Sequence, residues 1–416
     1  MSGEHPSPPS RIQRWLFVLL AAALVFLTAN ALAWLASYRV APAMHLFDPD
    51  PYRGARLKPG LDLSLPLGAG RRQLWAKTGA RYRVVTDARG FRAGRPEVEA
   101  PGSPPAAFTV ICVGDSSTFG QDVEDGQTYP RLLEKLLPPL LPGRTVRVIN
   151  AGVPNAASRQ GLVYLGRELL DDRPDLVVFA FGFNDNSPGA WRPWCPLTRL
   201  SDADLMQAAP DGAWQPIRIS PLTRLQSSVL RLPLVAVARL GYWSLQAPVF
   251  FAAALQAPGN IPHTPSCQHC RVPPEDYRNN LSEVVELGRR HGFLPLLLVP
   301  YAVNANYSSA AAEISGQGRV PLVDVPELFS QFPPPALEAR PDLKALLEPY
   351  RAWLGPEAFA ANPFLYLTTD SVHPNAVGHA LIAEALAQAL APYLKPPAPA
   401  GTPRSATFPE AGGQNE

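Results

Sequence analysis

Phe108 to Gly120 reads FTVICVGDSSTFG, and this stretch decides the fold. Val110, Ile111, Cys112 and Val113, with Phe108 before them, form a short continuous apolar run that predicts a buried strand. Gly114 breaks it and delivers Asp115, Ser116 and Ser117 to the carboxyl end of the strand, where open α/β sheets keep their chemistry. A serine placed there is exposed at the mouth of the sheet. The residues after it can begin a helix whose free N–H groups face an anion. Gly-Asp-Ser clusters are also ordinary turn formers. The stretch therefore points to a nucleophile only if the chain supplies a base, a group to orient that base, and donors for a developing oxyanion.

All three can be named. Of seven histidines, His373 alone has a carboxylate three residues before it in a segment that reads as a loop, Asp370-Ser371-Val372-His373-Pro374-Asn375. An aspartate that close can turn back to hold the imidazole N–H, which leaves the other ring nitrogen to accept the Ser116 proton. Pro374 then allows a helix to start. A turn aspartate and a capping histidine would explain the same pattern. Val146-Arg147-Val148-Ile149 predicts a second short strand, ending in Asn150-Ala151-Gly152, where Gly152 is a candidate backbone donor. Leu176 to Phe181 (LVVFAF) predicts a strand covered on both faces. It ends in Gly182-Phe183-Asn184-Asp185, and Asn184 is a candidate side-chain donor.

The four blocks GDSS, the Gly152 turn, GFND and DSVH resemble, in order and context, those of the SGNH hydrolases, the GDSL esterase and lipase family. The resemblance runs from about Phe108 to about Leu394, with one long interruption. It implies a three-layer α/β/α sandwich around a five-stranded parallel sheet of flavodoxin-like order. Ser116 is then the nucleophile, Asp370 and His373 complete a triad, and the Ser116 N–H, Gly152 and Asn184 are the oxyanion donors. Ser117 stands where the family name has Leu. Gly152 is followed by Val-Pro-Asn, which leaves open which backbone N–H points inward. Asp115 is expected to order the turn. The resemblance further implies a serine esterase or lipase acting on a small-molecule, glycan or lipid acyl ester through an acyl-enzyme, without a cofactor. Alternatives are an O-acyltransferase acting on an envelope polysaccharide and a catalytically silent glycan- or lipid-binding module.

Other chemistries lack their signatures. The positions flanking Ser116 are Gly114 and Thr118, so the G-x-S-x-G elbow of the other large serine-hydrolase fold is missing, and neither a phosphate loop nor G-x-G-x-x-G occurs. A net charge of +2 with scattered basic residues gives no electrostatic case for nucleic acid. The 49 prolines among 416 residues predict long ordered loops.

Residues 1–14 read as an N-terminal tail and residues 15–37 as a transmembrane helix or signal anchor, because Trp15 to Ser37 is uncharged over a length able to span a bilayer. Ala29-Asn30-Ala31 and Ala31-Leu32-Ala33 fit a cleavage site, and a signal peptide is the rival reading. Arg11 and Arg14 before the span favour a catalytic domain on the periplasmic or extracellular side, although Arg39, Arg53, Arg56 and Lys58 blunt that bias. Residues 40–105 carry alternating segments such as Leu61-Asp62-Leu63-Ser64-Leu65 and read as a β-rich lead-in. Its run Thr86 to Arg92 resembles a segment ahead of the first block in membrane-anchored family members and is read as packing. The hydrolase domain is expected over 106–394, and the tail 395–416 as disordered.

Within that domain Thr128 caps a helix with Leu132, Leu133, Leu136 and Leu137 as one apolar stripe, and Ser158 begins another carrying Leu162, Leu165 and Leu169. Phe293 to Val299 and Val320 to Val325 are the fourth and fifth strands, with a helix carrying Leu281, Val284 and Val285 before the fourth. The last helix follows His373. An insert over 186–275 leaves the sheet directly after Asn184 and Asp185, a position suited to a wall or lid. Trp191, Trp194 and Trp214 suit a sugar or acyl contact or the insert's own core. Its apolar piece Val229 to Leu255 contains Arg231 and Arg239, which argues against a second span. Cys112 reads as a buried, inert thiol. One disulfide is expected among Cys195, Cys267 and Cys270, and a lone C-x-x-C beside His263 and His269 does not make a metal site.

Overall fold

The computed structural model describes residues 10–40, 45–66, 81–92, 108–186, 232, 234–235, 270–301, 305–354, 356–357 and 372–394. Trp191, Trp194, Trp214, Cys195, Cys267, His263, His269, Asp370 and the tail 395–416 lie outside the described residues.

A helix, α1 (Arg11–Val40), opens the chain. Its residues 11–36 are long and apolar enough to cross a membrane by length and composition, and they are almost wholly unburied. A signal sequence passes the same test. Four short strands follow and pair as two antiparallel ribbons: β1 (Phe47–Asp50) with β2 (Gly54–Leu57), and β3 (Asp62–Pro66) with β4 (Arg81–Val85). Leu57, Leu65, Tyr82 and Val84 bury their side chains together with Phe119 of the domain that follows.

The main sheet has five parallel strands, β5 (Phe108–Gly114), β6 (Val146–Gly152), β7 (Leu176–Ala180), β8 (Leu294–Val299) and β9 (Leu322–Asp324), in the order β6-β5-β7-β8-β9. This is the flavodoxin-like order. The chain leaves β5 for β6 on one side and then returns to β7 on the other, so the carboxyl end of β5 is the topological switch point where such sheets bind ligands. Register aligns the strand ends: Gly114 pairs with Gly152 on one side and Ala180 on the other.

Both faces are covered, as the continuous apolar strands require. On one face Val110, Cys112, Leu176, Val178, Leu296 and Leu298 pack with α3 (Tyr129–Leu136) and α10 (Ala376–Leu390). Three further helices, α7 (Val325–Ser330), α8 (Pro334–Glu338) and α9 (Pro341–Leu354), complete that layer. On the other face Ile111, Val113, Val177 and Phe179 meet α4 (Ser158–Arg167), α5 (Pro274–His291) and α6 (Ala305–Gly318). Alternate residues of one strand thus serve two cores.

The expected stripe on α3 needs one correction. Leu133 and Leu137 are fully buried and Leu132 partly, but Leu136 is 37% exposed. The helix buries its 133/137 ridge, and position 136 falls about 100° from 137, off the contact. Thr128 occupies the N-cap position without a side-chain capping bond, its hydroxyl instead donating to the Asp125 carbonyl at 2.9 Å. Leu133→Ala should therefore cost about 2–5 kcal/mol of stability, and Leu136→Ala about 0.5 kcal/mol or less. Denaturant titration of the two variants checks this, and equal losses would contradict the packing.

Candidate active site

A one-turn helix, α2 (Ser116–Phe119), follows β5 and presents Ser116 as its first residue. Asp115 is its N-cap and accepts the Ser117 N–H at 2.8 Å, so this carboxylate orders the turn. The helix can lie on the sheet because two strand ends lack side chains. A Cβ on Gly114 would stand 1.9 Å from Thr118 Oγ1, and one on Gly152 2.2 Å from the Phe119 nitrogen.

His373 arrives from the far end of the chain, and its Nε2 lies 2.7 Å from Ser116 Oγ. Both side chains are buried. Two residues on, Asn375 caps α10, its Oδ1 accepting the N–H groups of Val377 and Gly378 at 3.0 and 3.2 Å. That cap, rather than Pro374, starts the helix and fixes where the chain carrying His373 departs from it.

The two other candidate donors also reach the strand ends, each already engaged. Gly152 N–H donates to Asn150 Oδ1 at 3.1 Å. Asn184 Nδ2 donates to Asp115 Oδ2 at 3.1 Å and to the Ala156 carbonyl at 3.0 Å. Asn184 is thus tied to the residue that caps α2. The Ser116 N–H, at the first position of α2, has no acceptor within that helix.

Two buried polar networks back the site. Tyr129 O–H and Thr118 Oγ1 stand 2.8 Å apart, and the Tyr129 backbone N–H donates to His379 Nδ1 at 3.2 Å. Nδ1 therefore accepts, and His379 is neutral with its proton on Nε2. Burial, with the charges of Arg92 and His373, lowers its pKa to about 3. On the other side of the sheet, Asp185 accepts the Ser158 backbone N–H, the Ser158 hydroxyl and the Gly182 N–H, while Asn280 Nδ2 donates to Ser158 Oγ. Burial pushes the Asp185 carboxyl up to about 6 against the pull of the Ser158 hydrogen bonds. The Cys112 thiol is likewise pushed up by burial and is inert at neutral pH. Cys270 Sγ lies 3.8 Å from Asn186 Oδ1.

Residues 112–238 match the model of the GDSL-like Lipase/Acylhydrolase family. Esterase TesA of Pseudomonas aeruginosa is 36% identical over 84 residues, 20% of this chain and 41% of that esterase. The chain thus spans about two fifths of the curated relative it matches. Among solved structures it loosely resembles LAE5, an α/β hydrolase from the metagenome of Lake Arreo, Spain (20% identity, 70% of this chain and 98% of that one, TM-score 0.36). It similarly resembles Axe2, an acetylxylan esterase from Geobacillus stearothermophilus (16% identity, 68% of this chain and 94% of that one, TM-score 0.36). Residues 112–238 of the chain are therefore similar to the GDSL-like lipase/acylhydrolase family.

The sequence pointed to no part in the site for His379, Tyr129 or Asp185, and to Ser158 only as the start of a helix. His379 had no local signal, since its partner lies 250 residues away. Asp185 had one, a carboxylate directly after Asn184 in an otherwise apolar strand end.

The two buried titrating groups pull stability in opposite directions. Asp185 has a raised folded pKa, so its contribution is full below 3.8 and is lost as pH rises through about 6. His379 has a depressed one, so its contribution is present above 6.5 and is lost as pH falls toward about 3. In urea titrations from about pH 4 to 8, Asp185→Asn should remove the decline toward neutrality, and His379→Gln should remove the loss on acidification. A variant whose pH profile parallels wild type would contradict the assignment for that residue.

Proposed function

We propose that this chain is a serine ester hydrolase of SGNH type that acts on acyl esters of carbohydrate or lipid alcohols through an acyl-enzyme on Ser116. The observation that carries this reading is the 2.7 Å contact between Ser116 Oγ and His373 Nε2 at the switch point of the sheet. His373 takes the Ser116 proton as Oγ attacks the ester carbonyl and returns it to the leaving alcohol. Water, deprotonated by the same imidazole, then releases the acid. Asp370 is assigned to hold the His373 ring through its other nitrogen.

The developing oxyanion falls to the Ser116 N–H, Gly152 and Asn184. For the last two, donation requires exchange of partners: Gly152 N–H leaves Asn150, and Asn184 Nδ2 leaves Asp115 or the Ala156 carbonyl. The apolar α1 supports an anchored enzyme, and Arg11 and Arg14 ahead of the span favour a catalytic domain on the periplasmic or extracellular side.

Turnover of p-nitrophenyl acetate, octanoate and palmitate tests the reading and sizes the acyl pocket. Ser116→Ala, His373→Ala and Asp370→Asn should each lower kcat/KM by about 10³-fold or more. Ser116→Ala turning over at the wild-type rate would refute it.

A further inference from the structure

We propose that Arg92, in the lead-in that precedes the sheet, is a positioning residue for Ser116, acting through the carboxyl end of the nucleophile helix. The inference rests on the reading of Ser116 as nucleophile. Helix α2 is a single turn of four residues, and a helix that short does not hold its shape without outside contacts. Its amino end is tied down by Asp115. Its carboxyl end leaves carbonyls that the helix itself cannot satisfy.

Arg92 supplies the missing donors. One guanidinium nitrogen donates to the Phe119 carbonyl at 2.5 Å and to the Gly120 carbonyl. The other donates to the Val123 carbonyl at 2.6 Å and reaches the Arg83 carbonyl at 3.4 Å. The guanidinium carbon lies 4.6 Å from the Phe119 ring centroid, and the side chain is 0% exposed. A cation at a helix carboxyl end is favoured by the helix dipole. Its Nε stands 4.0 Å from the Asp125 carboxylate.

Arg92 is itself anchored. Its backbone pairs antiparallel with Thr86 on one side and with Asn150 on the other. Asn150 Nδ2 reaches the same Phe119 carbonyl at 3.5 Å, while Asn150 Oδ1 holds the Gly152 N–H. One residue therefore joins the lead-in and the nucleophile helix through its guanidinium, and the Gly152 turn through its backbone. Displacement of α2 moves Ser116 Oγ away from His373, and a misplacement of about 1 Å costs about 10²-fold in rate. Packing alone, the expectation for the run Thr86 to Arg92, does not describe a buried fork aimed at carbonyls. Lysine would keep the charge but not the planar fork.

The test uses the full chain in detergent micelles and compares wild type, Arg92→Lys and Arg92→Met well below each melting temperature. Readouts are the rate of fluorophosphonate labelling and the separate kcat and KM for p-nitrophenyl acetate. The proposal expects labelling and kcat to fall about 10- to 100-fold in Arg92→Met with KM little changed, and Arg92→Lys to recover part of the loss. A folded Arg92→Met that labels at the wild-type rate overturns it. So does a loss that disappears entirely on cooling, which would mark a contribution to stability alone. If neither variant folds, Arg92→Gln, which keeps one side-chain amide donor in place of the guanidinium fork, is measured instead. It should slow labelling severalfold, and wild-type labelling there also overturns the proposal. Wild type that is itself unlabelled, like Ser116→Ala, would instead sink the nucleophile assignment and this inference with it.

Discussion

How closely the helix that begins at Ser116 can approach the sheet is set by two α-carbons that carry no side chain. Gly114 and Gly152 face each other across β5 and β6, and any Cβ there would occupy space now held by Thr118 and Phe119. With that space open, α2 rests directly on the strand ends. Ser116 then meets His373, Asp115 meets Asn184, and Phe119 drops into the core beneath the lead-in. Glycine at these positions has an entropic cost in a strand, and the close approach is its return in structure.

Around that approach the protein buries several polar side chains, and some of them are oriented toward backbone. Arg92 aims at carbonyls, Asp185 at N–H groups, and His379 accepts from the Tyr129 backbone. Each group ties a loop that carries a candidate catalytic residue to a neighbouring element: Arg92 the end of α2, Asp185 the turn before Asn184, His379 the face of α10 below His373. A buried polar group left unpartnered costs about 1–3 kcal/mol, so these contacts hold the loops in one arrangement. The Asn184 amide illustrates the consequence. Its nitrogen faces two oxygens that can only accept, the Asp115 carboxylate and the Ala156 carbonyl, and this fixes its orientation.

The sheet was legible in the sequence because its strands are apolar on both faces and end in glycine, as LVVFAFG and FTVICVG show. Alternation of strands with helices then led to the layer order. Ser116 and His373 were legible because both stand at element ends in short polar blocks, and the structure brings them together across 257 positions of sequence. What escaped was polarity facing the interior. Arg92 lies in a run that reads as an ordinary polar turn, and its burial depends on Phe119, Tyr82 and Asn150, which no local pattern connects. Leu136 failed for the opposite reason: an apolar residue at helical spacing faces outward, because only the neighbouring ridge meets the core.

The account turns on one bond, the ester formed between an acyl group and Ser116 Oγ. Its most direct measurement is acid quench of wild type and His373→Ala during turnover of p-nitrophenyl acetate, followed by peptide mass spectrometry. The account predicts one acetyl group on the peptide from the Ser116 turn of wild type, fragmenting to Ser116, and none in His373→Ala. An acetyl group on Ser117 or Ser158 instead, or turnover with a normal burst of p-nitrophenol and an unmodified Ser116, would contradict it.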